Sequence, residues 1–132
     1  MLKLAEIEEQ KLTEHKQKQT ALKVILPKFE AAASIIRDEL APFRRYGRQP
    51  YVKVSQKNNV VWLRVALKKE TATAVSFNWL NESYSVMPSG DLQHNHAGAD
   101  TLTECDATQI AMHFLALHRG KIFARFERLL PH

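Results

Sequence analysis

Apolar and polar positions divide the chain into three regimes. From Leu12, positions recur in alternating steps of three and four: Leu12, His15, Gln19, Leu22, Leu26, Phe29, Ala33, Ile36 and Leu40. That spacing puts side chains on one face of an α-helix. The stripe is polar at His15 and Gln19 and clean from Leu22, so residues 22–40 are the half expected to bury. Val24, Ile25 and Ile35 widen it beyond a two-position seam, which suits packing on a sheet. Pro27 lacks an amide donor and follows no capping residue, which predicts a kink, and Pro42 predicts the end of the helix.

After Pro42 the period changes to two. Val52 and Val54, then Val61, Leu63, Val65 and Leu67, then Val75, Phe77 and Trp79, then Tyr84 and Val86 read as four half-buried strands. The connections QKNN, KKETA and LNES are short and polar, so the strands are expected to form an antiparallel meander of hairpins. The stretch MPSGDLQHNHAGADTLTE breaks all periodicity and is expected to be a long loop.

Thr103 with Asp106 three residues later resembles a capping box, and Ile110, Phe114 and Leu117 supply a face behind it, predicting a helix from about residue 104. Gly120 interrupts that face, and Ile122, Phe123, Phe126, Leu129 and Leu130 follow another, so one or two C-terminal helices are expected. The fold class is therefore α+β: a long N-terminal helix kinked near Pro27, a four-stranded antiparallel meander, and C-terminal helices on one sheet face. Residues 1–21 form a projecting arm, and residues 22–132 form a single domain. The arm has Leu2, Leu4, Ile7 and Leu12 but little to pack on. Leu4, Ile7 and Leu12 are the positions expected to meet a partner helix, from another protein or a second copy.

Charge adds a location to this outline. The formal net charge is +5. Residues 1–40 are balanced and residues 81–132 are slightly acidic, whereas residues 41–80 hold eight bases and only Glu70 as an acid. Such asymmetry points to an acidic partner for the middle segment. Within it, FRRYGRQPY interleaves arginines with aromatics, a composition suited to phosphate contact and base stacking. Arg44, Arg45, Tyr46 and Arg48 are candidates there, extended by Lys53, Trp62, Arg64 and Lys68. Strand alternation puts Lys53, Trp62 and Arg64 on the face away from Val52 and Val61. Lys121, Arg125 and Arg128 read as a solvated stripe.

Catalytic signatures are sparse. DLQHNHAGAD contains His94, Asn95 and His96 in a row, but a nuclease of the His-Asn-His type needs those residues spread over a hairpin and a helix. His94 and His96 remain candidate metal ligands, with Asp100, Glu104 or Cys105 as further donors. Cys105 is the only cysteine and stands between Glu104 and Asp106, which disfavours a nucleophilic thiolate and excludes an internal disulfide. No apolar window reaches a membrane span, and a reducing compartment such as the cytoplasm is expected.

The outline of long helix, meander and C-terminal helices is similar to coiled-coil-plus-sheet scaffold subunits such as the RWD-type domains of kinetochore proteins. That likeness implies assembly rather than catalysis. The leading expectation is a non-enzymatic adaptor without a cofactor, contacting protein through its N-terminal helix and an acidic partner, nucleic acid first, through residues 41–80. Behind it stand a protein-interaction, scaffold or inhibitor subunit without nucleic-acid contact, and a metal-dependent enzyme using His94 and His96.

Overall fold

A computed structural model of the chain describes residues 3–69, 79–96 and 100–131. Helix α1, Leu4–Glu39, leads through a 3₁₀ turn, Ala41–Tyr46, into strands β1 (Arg48–Lys57), β2 (Val60–Lys69), β3 (Leu80–Val86), β4 (Leu92–His94) and β5 (Thr101–Leu102). Helix α2, Ala107–Leu129, closes the order. The strands form one antiparallel sheet in the order β1-β2-β3-β4-β5. The class is α+β, with five strands rather than four.

Helix α1 runs through Pro27, and its burial follows the stripe. Ile25, Phe29, Ala32, Ala33 and Ile36 are buried, and Ala21 and Leu22 pack at the edge of the core. Ile25 and Ile35 join that face, whereas Val24 points to solvent. Residues 3–17, 19 and 20 are all exposed.

Pro42 sits in the 3₁₀ turn, and Gly47 ends it at φ 73°, a left-handed conformation that costs a residue with Cβ. Pro50 then lies within β1, where its missing donor is tolerated because β1 is an edge strand. Lys57 pairs with Val60, leaving Asn58 and Asn59 as a two-residue hairpin turn with both φ positive, at 52° and 63°. Asparagine suits that geometry and pins the β1–β2 register.

The sheet has a helix-covered inner face and an outer face. Val52, Val61, Leu63, Val65, Leu80, Tyr84, Val86 and Leu92 point inward and join Phe29, Ile36, Ile110 and Phe114 in one core. Both helices reach that face: the Phe29 ring lies 5.6 Å from Tyr84, and His113 of α2 meets the Tyr84 hydroxyl. Phe43 is buried against Phe126, their rings 5.0 Å apart.

Four expectations need correction: the LNES connection, which is the first part of β3, the long loop, the Thr103 cap and the break at Gly120. Of the expected third strand, Val75 and Phe77 lie outside the described residues, and Trp79 immediately precedes β3. Leu2 of the arm also lies outside them. The segment read as one long loop contains β4 and β5, which extend the sheet beyond Val86. At α2 the N-cap is Asp106, not Thr103: Gln109 donates its backbone N–H to Asp106 Oδ1 at 2.9 Å, and Asp106 donates to Gln109 Oε1 at 2.8 Å. Gly120 leaves α2 unbroken. No helix among the described residues is long and apolar enough to cross a membrane.

Candidate functional site

The outer sheet face is assembled by register. Inward Val52, Val54, Val61, Leu63 and Val65 leave Tyr51, Lys53, Ser55 and Lys57 of β1 outward beside Lys68, Ala66, Arg64, Trp62 and Val60 of β2. Lys53 faces Arg64, which faces Asn81 of β3; Ser55 faces Trp62, which faces Ser83. A third row runs through Lys57, Val60, Ser85, Gln93 and Thr101 and crosses all five strands. No described outward position on these strands carries a carboxylate. Its four cations, Lys53, Lys57, Arg64 and Lys68, form no ion pair among the described residues.

Aromatic groups share this face. Tyr51 lies edge-on to Trp79, ring centroids 5.6 Å apart, and Ala66, opposite Tyr51, is fully buried. Tyr51 is nevertheless 44% exposed, and Trp62 is half-buried. The Nε atom of Arg64 is buried without a hydrogen-bond partner among the described residues. On the β3–β5 side, Ser85 donates to Asn95 Oδ1 and Thr101 to Gln93 Oε1, giving a neutral polar border.

The candidate basic residues therefore separate. Lys53, Trp62, Arg64 and Lys68 share the outer face. Arg44 and Arg45 are exposed on the 3₁₀ turn, and Arg48 opens β1 on the inward parity of Pro50 and Val52. Tyr46 stacks edge-on against Phe126 at 5.5 Å, so its ring is engaged with α2. Tyr51, an aromatic of FRRYGRQPY, shares the outer face, whereas Lys57 and Trp79 went unassigned in sequence, because their place beside it depends on how the strands pair.

Behind β3 and β4 lies a separate polar cluster within the core. His94 is buried and its Nε2 meets Glu82 Oε2 at 2.8 Å, while His118 Nε2 lies 3.2 Å from Glu82 Oε1. One carboxylate thus lies within ion-pair distance of two imidazoles but hydrogen-bonds only that of His94, the His118 Nε2 having no hydrogen-bond partner among the described residues. The Tyr84 hydroxyl is 2.7 Å from His113 Nδ1, and His113 Nε2 lies 3.7 Å from Asp100. Burial pushes the Tyr84 phenol well above its ordinary range, with Glu82 adding to the shift. Burial lowers His113, reinforced by His94, and burial lowers His118 against the pull of Glu82. The Tyr84 hydroxyl keeps its proton, and a neutral His113 in the tautomer protonated at Nε2 accepts a hydrogen bond from it at Nδ1.

His96 is exposed, its ring 5.8 Å from that of His94. The Nε2 of His94 is turned to Glu82, and no group of three or more His, Cys, Asp or Glu among the described residues is arranged to hold a metal ion. Cys105 is buried, and burial raises its thiol despite nearby Lys28, which donates to the Cys105 carbonyl at 3.2 Å. Burial and the raised thiol favour inertness, and outweigh the opposing pull of Lys28.

The arm presents the remaining expected positions. Leu4, Ile7 and Leu12 are 65%, 52% and 53% exposed. Between Thr13–Lys28 of α1 and the β3–β4 turn runs an open groove, walled by Val24 and Ile25 on one side and by Pro88, Asp91 and Glu104 on the other. Compared with protein-family models, with curated proteins and with solved structures, the chain matches none of them.

Proposed function

We propose that this chain is a non-enzymatic binding protein whose outer sheet face engages a polyanion, nucleic acid in the first place. The observation that carries the reading is the outer face, where no described position carries a carboxylate and four cations without an ion pair among the described residues stand in register with the exposed Tyr51 and the half-buried Trp62. Cations arranged in this way attract phosphate and release its counterions, and no described position on this face carries a charge that repels an anion.

The test is binding of labelled nucleic acid by fluorescence anisotropy across a salt series. Affinity should fall steeply with salt. Replacing Lys53, Lys57, Arg64 and Lys68 together with Ala should flatten the log–log salt slope by about 3, the loss of roughly four phosphate contacts. Replacing Arg44 and Arg45 should act separately, because they lie on the 3₁₀ turn. No binding at low salt would remove the reading.

The exposed Leu4, Ile7 and Leu12 favour a second contact, with protein, through the arm. Its measure is native mass or co-purification with and without residues 1–20; an unchanged assembly state and partner set would dismiss it.

A further inference from the structure

We infer that the outer face takes single-stranded nucleic acid, with bases stacked on Trp62 and Tyr51 and the sugar–phosphate chain tracking Lys53 and Arg64. This rests on the polyanion reading above and goes further by choosing the form of the ligand.

Shape argues against a duplex. The row from Lys57 to Thr101 crosses five strands, spanning about 19 Å at the ordinary strand spacing. The major groove of B-DNA is about 12 Å wide and admits a helix or a two-stranded ribbon, so this face meets a duplex only at its phosphate ridges. Contact of that kind would leave the aromatic rings without a partner, since a duplex hides its base faces in the stack. A single strand exposes them.

Placement within the face argues for a strand. Trp62 and Ala66 lie on the same strand four residues apart, about 13 Å, and Ala66 is paired with Tyr51, whose ring meets Trp79. Arg64 stands midway between these two aromatic positions, with Lys53 directly across from it. Aromatic, cationic and aromatic groups thus alternate across the β1–β2 pair, from Trp62 through Arg64 and Lys53 to Tyr51, as a strand with splayed bases and intervening phosphates requires. Asn81, Ser83 and Gln93 border the same face with neutral donors and acceptors, suited to base edges rather than phosphates.

The experiment titrates the full chain with oligonucleotides of one sequence, as single-stranded RNA, single-stranded DNA and the annealed duplex, at one salt concentration. Intrinsic tryptophan fluorescence and anisotropy are read together. The single strands should bind at least tenfold tighter than the duplex and quench tryptophan emission, and the RNA and DNA arms show whether the 2′-hydroxyl contributes.

Trp62→Ala should weaken single-strand binding roughly tenfold while leaving duplex affinity near that of the parent, and exposed Tyr51→Ala should do the same with less risk to the fold. Trp62→Phe should restore most of the affinity. Duplex binding as tight as single-strand binding, or equal losses on both ligands, overturns the inference while leaving the polyanion reading intact. Failure of every nucleic acid to bind at low salt overturns both.

Discussion

Tyr84→Phe removes one oxygen atom from the centre of the domain and nothing else. The ring is fully buried and packs on Phe29 and His94, contacts that phenylalanine retains. What disappears is the 2.7 Å hydrogen bond to His113 Nδ1. Among the described residues His113 has no substitute: its Nε2 is already buried without a hydrogen-bond partner, and Asp100 lies 3.7 Å away. An imidazole left with neither nitrogen satisfied should cost about 1–3 kcal/mol, more than the usual net value of one hydrogen bond. For 132 residues the unfolding entropy is about 0.28 kcal/mol/K, so the melting temperature should fall by about 4–11 °C. Urea unfolding followed by circular dichroism measures the change, with an unaltered m-value as the control. In a His113→Leu background the same substitution should cost at least about 0.5 kcal/mol less, because no imidazole remains to be orphaned. Stability within about 0.3 kcal/mol of the parent, or strict additivity with His113→Leu, would refute this account.

Acid should destabilise the same cluster. Folding lowers the pKa of both His113 and His118 below 6.5, so above that pH both folded and unfolded states carry them neutral and stability is complete. Below it the unfolded chain takes up protons that the folded chain resists, and stability falls by at most about 2.7 kcal/mol per pH unit for the two together until the folded groups titrate. His118→Leu should halve that slope, and a urea midpoint unchanged between about pH 7 and 5 would contradict the linkage. At the start of α2, Asp106→Ala should cost about 0.5–2 kcal/mol, whereas Thr103→Ala should be nearly neutral; equal costs would mean that the cap is elsewhere.

Long periodic elements were legible in the sequence and short or polar-lined ones were not. The stripe from Leu22 to Leu40 and the alternation of Val61, Leu63 and Val65 each repeat often enough for burial to show as period. Strands β4 and β5 have three residues and two, too few for alternation to register, and β4 ends in an inward histidine that reads as polar. The same blindness produced the expected break at Gly120. The inward row of α2 is Ile110, Phe114, His118 and Ile122; the expected face ran from Ile110 and Phe114 to Leu117, which is 44% exposed, because a histidine does not register in an apolar period. Glu82 pairs with His94 and His118 only after three elements converge, so no local spacing announces the cluster. The outer face was half visible: alternation opposed Lys53, Trp62 and Arg64 to the core, while the alignment of Lys57, Asn81 and Gln93 depends on register across turns.

Helix α1 is continuous from the exposed arm into the core, which fixes an angle as well as a distance. The side of the helix that presents Leu4 and Ile7 is locked in phase to the side that buries Phe29 and Ile36. One residue inserted between Gln17 and Thr20 would turn the arm tip by about 100° and advance it by about 1.5 Å, whereas seven residues would return it to within about 20° of its original bearing. The helix therefore works as an indexing shaft: any partner held at the tip is oriented toward the sheet by the count of residues between them.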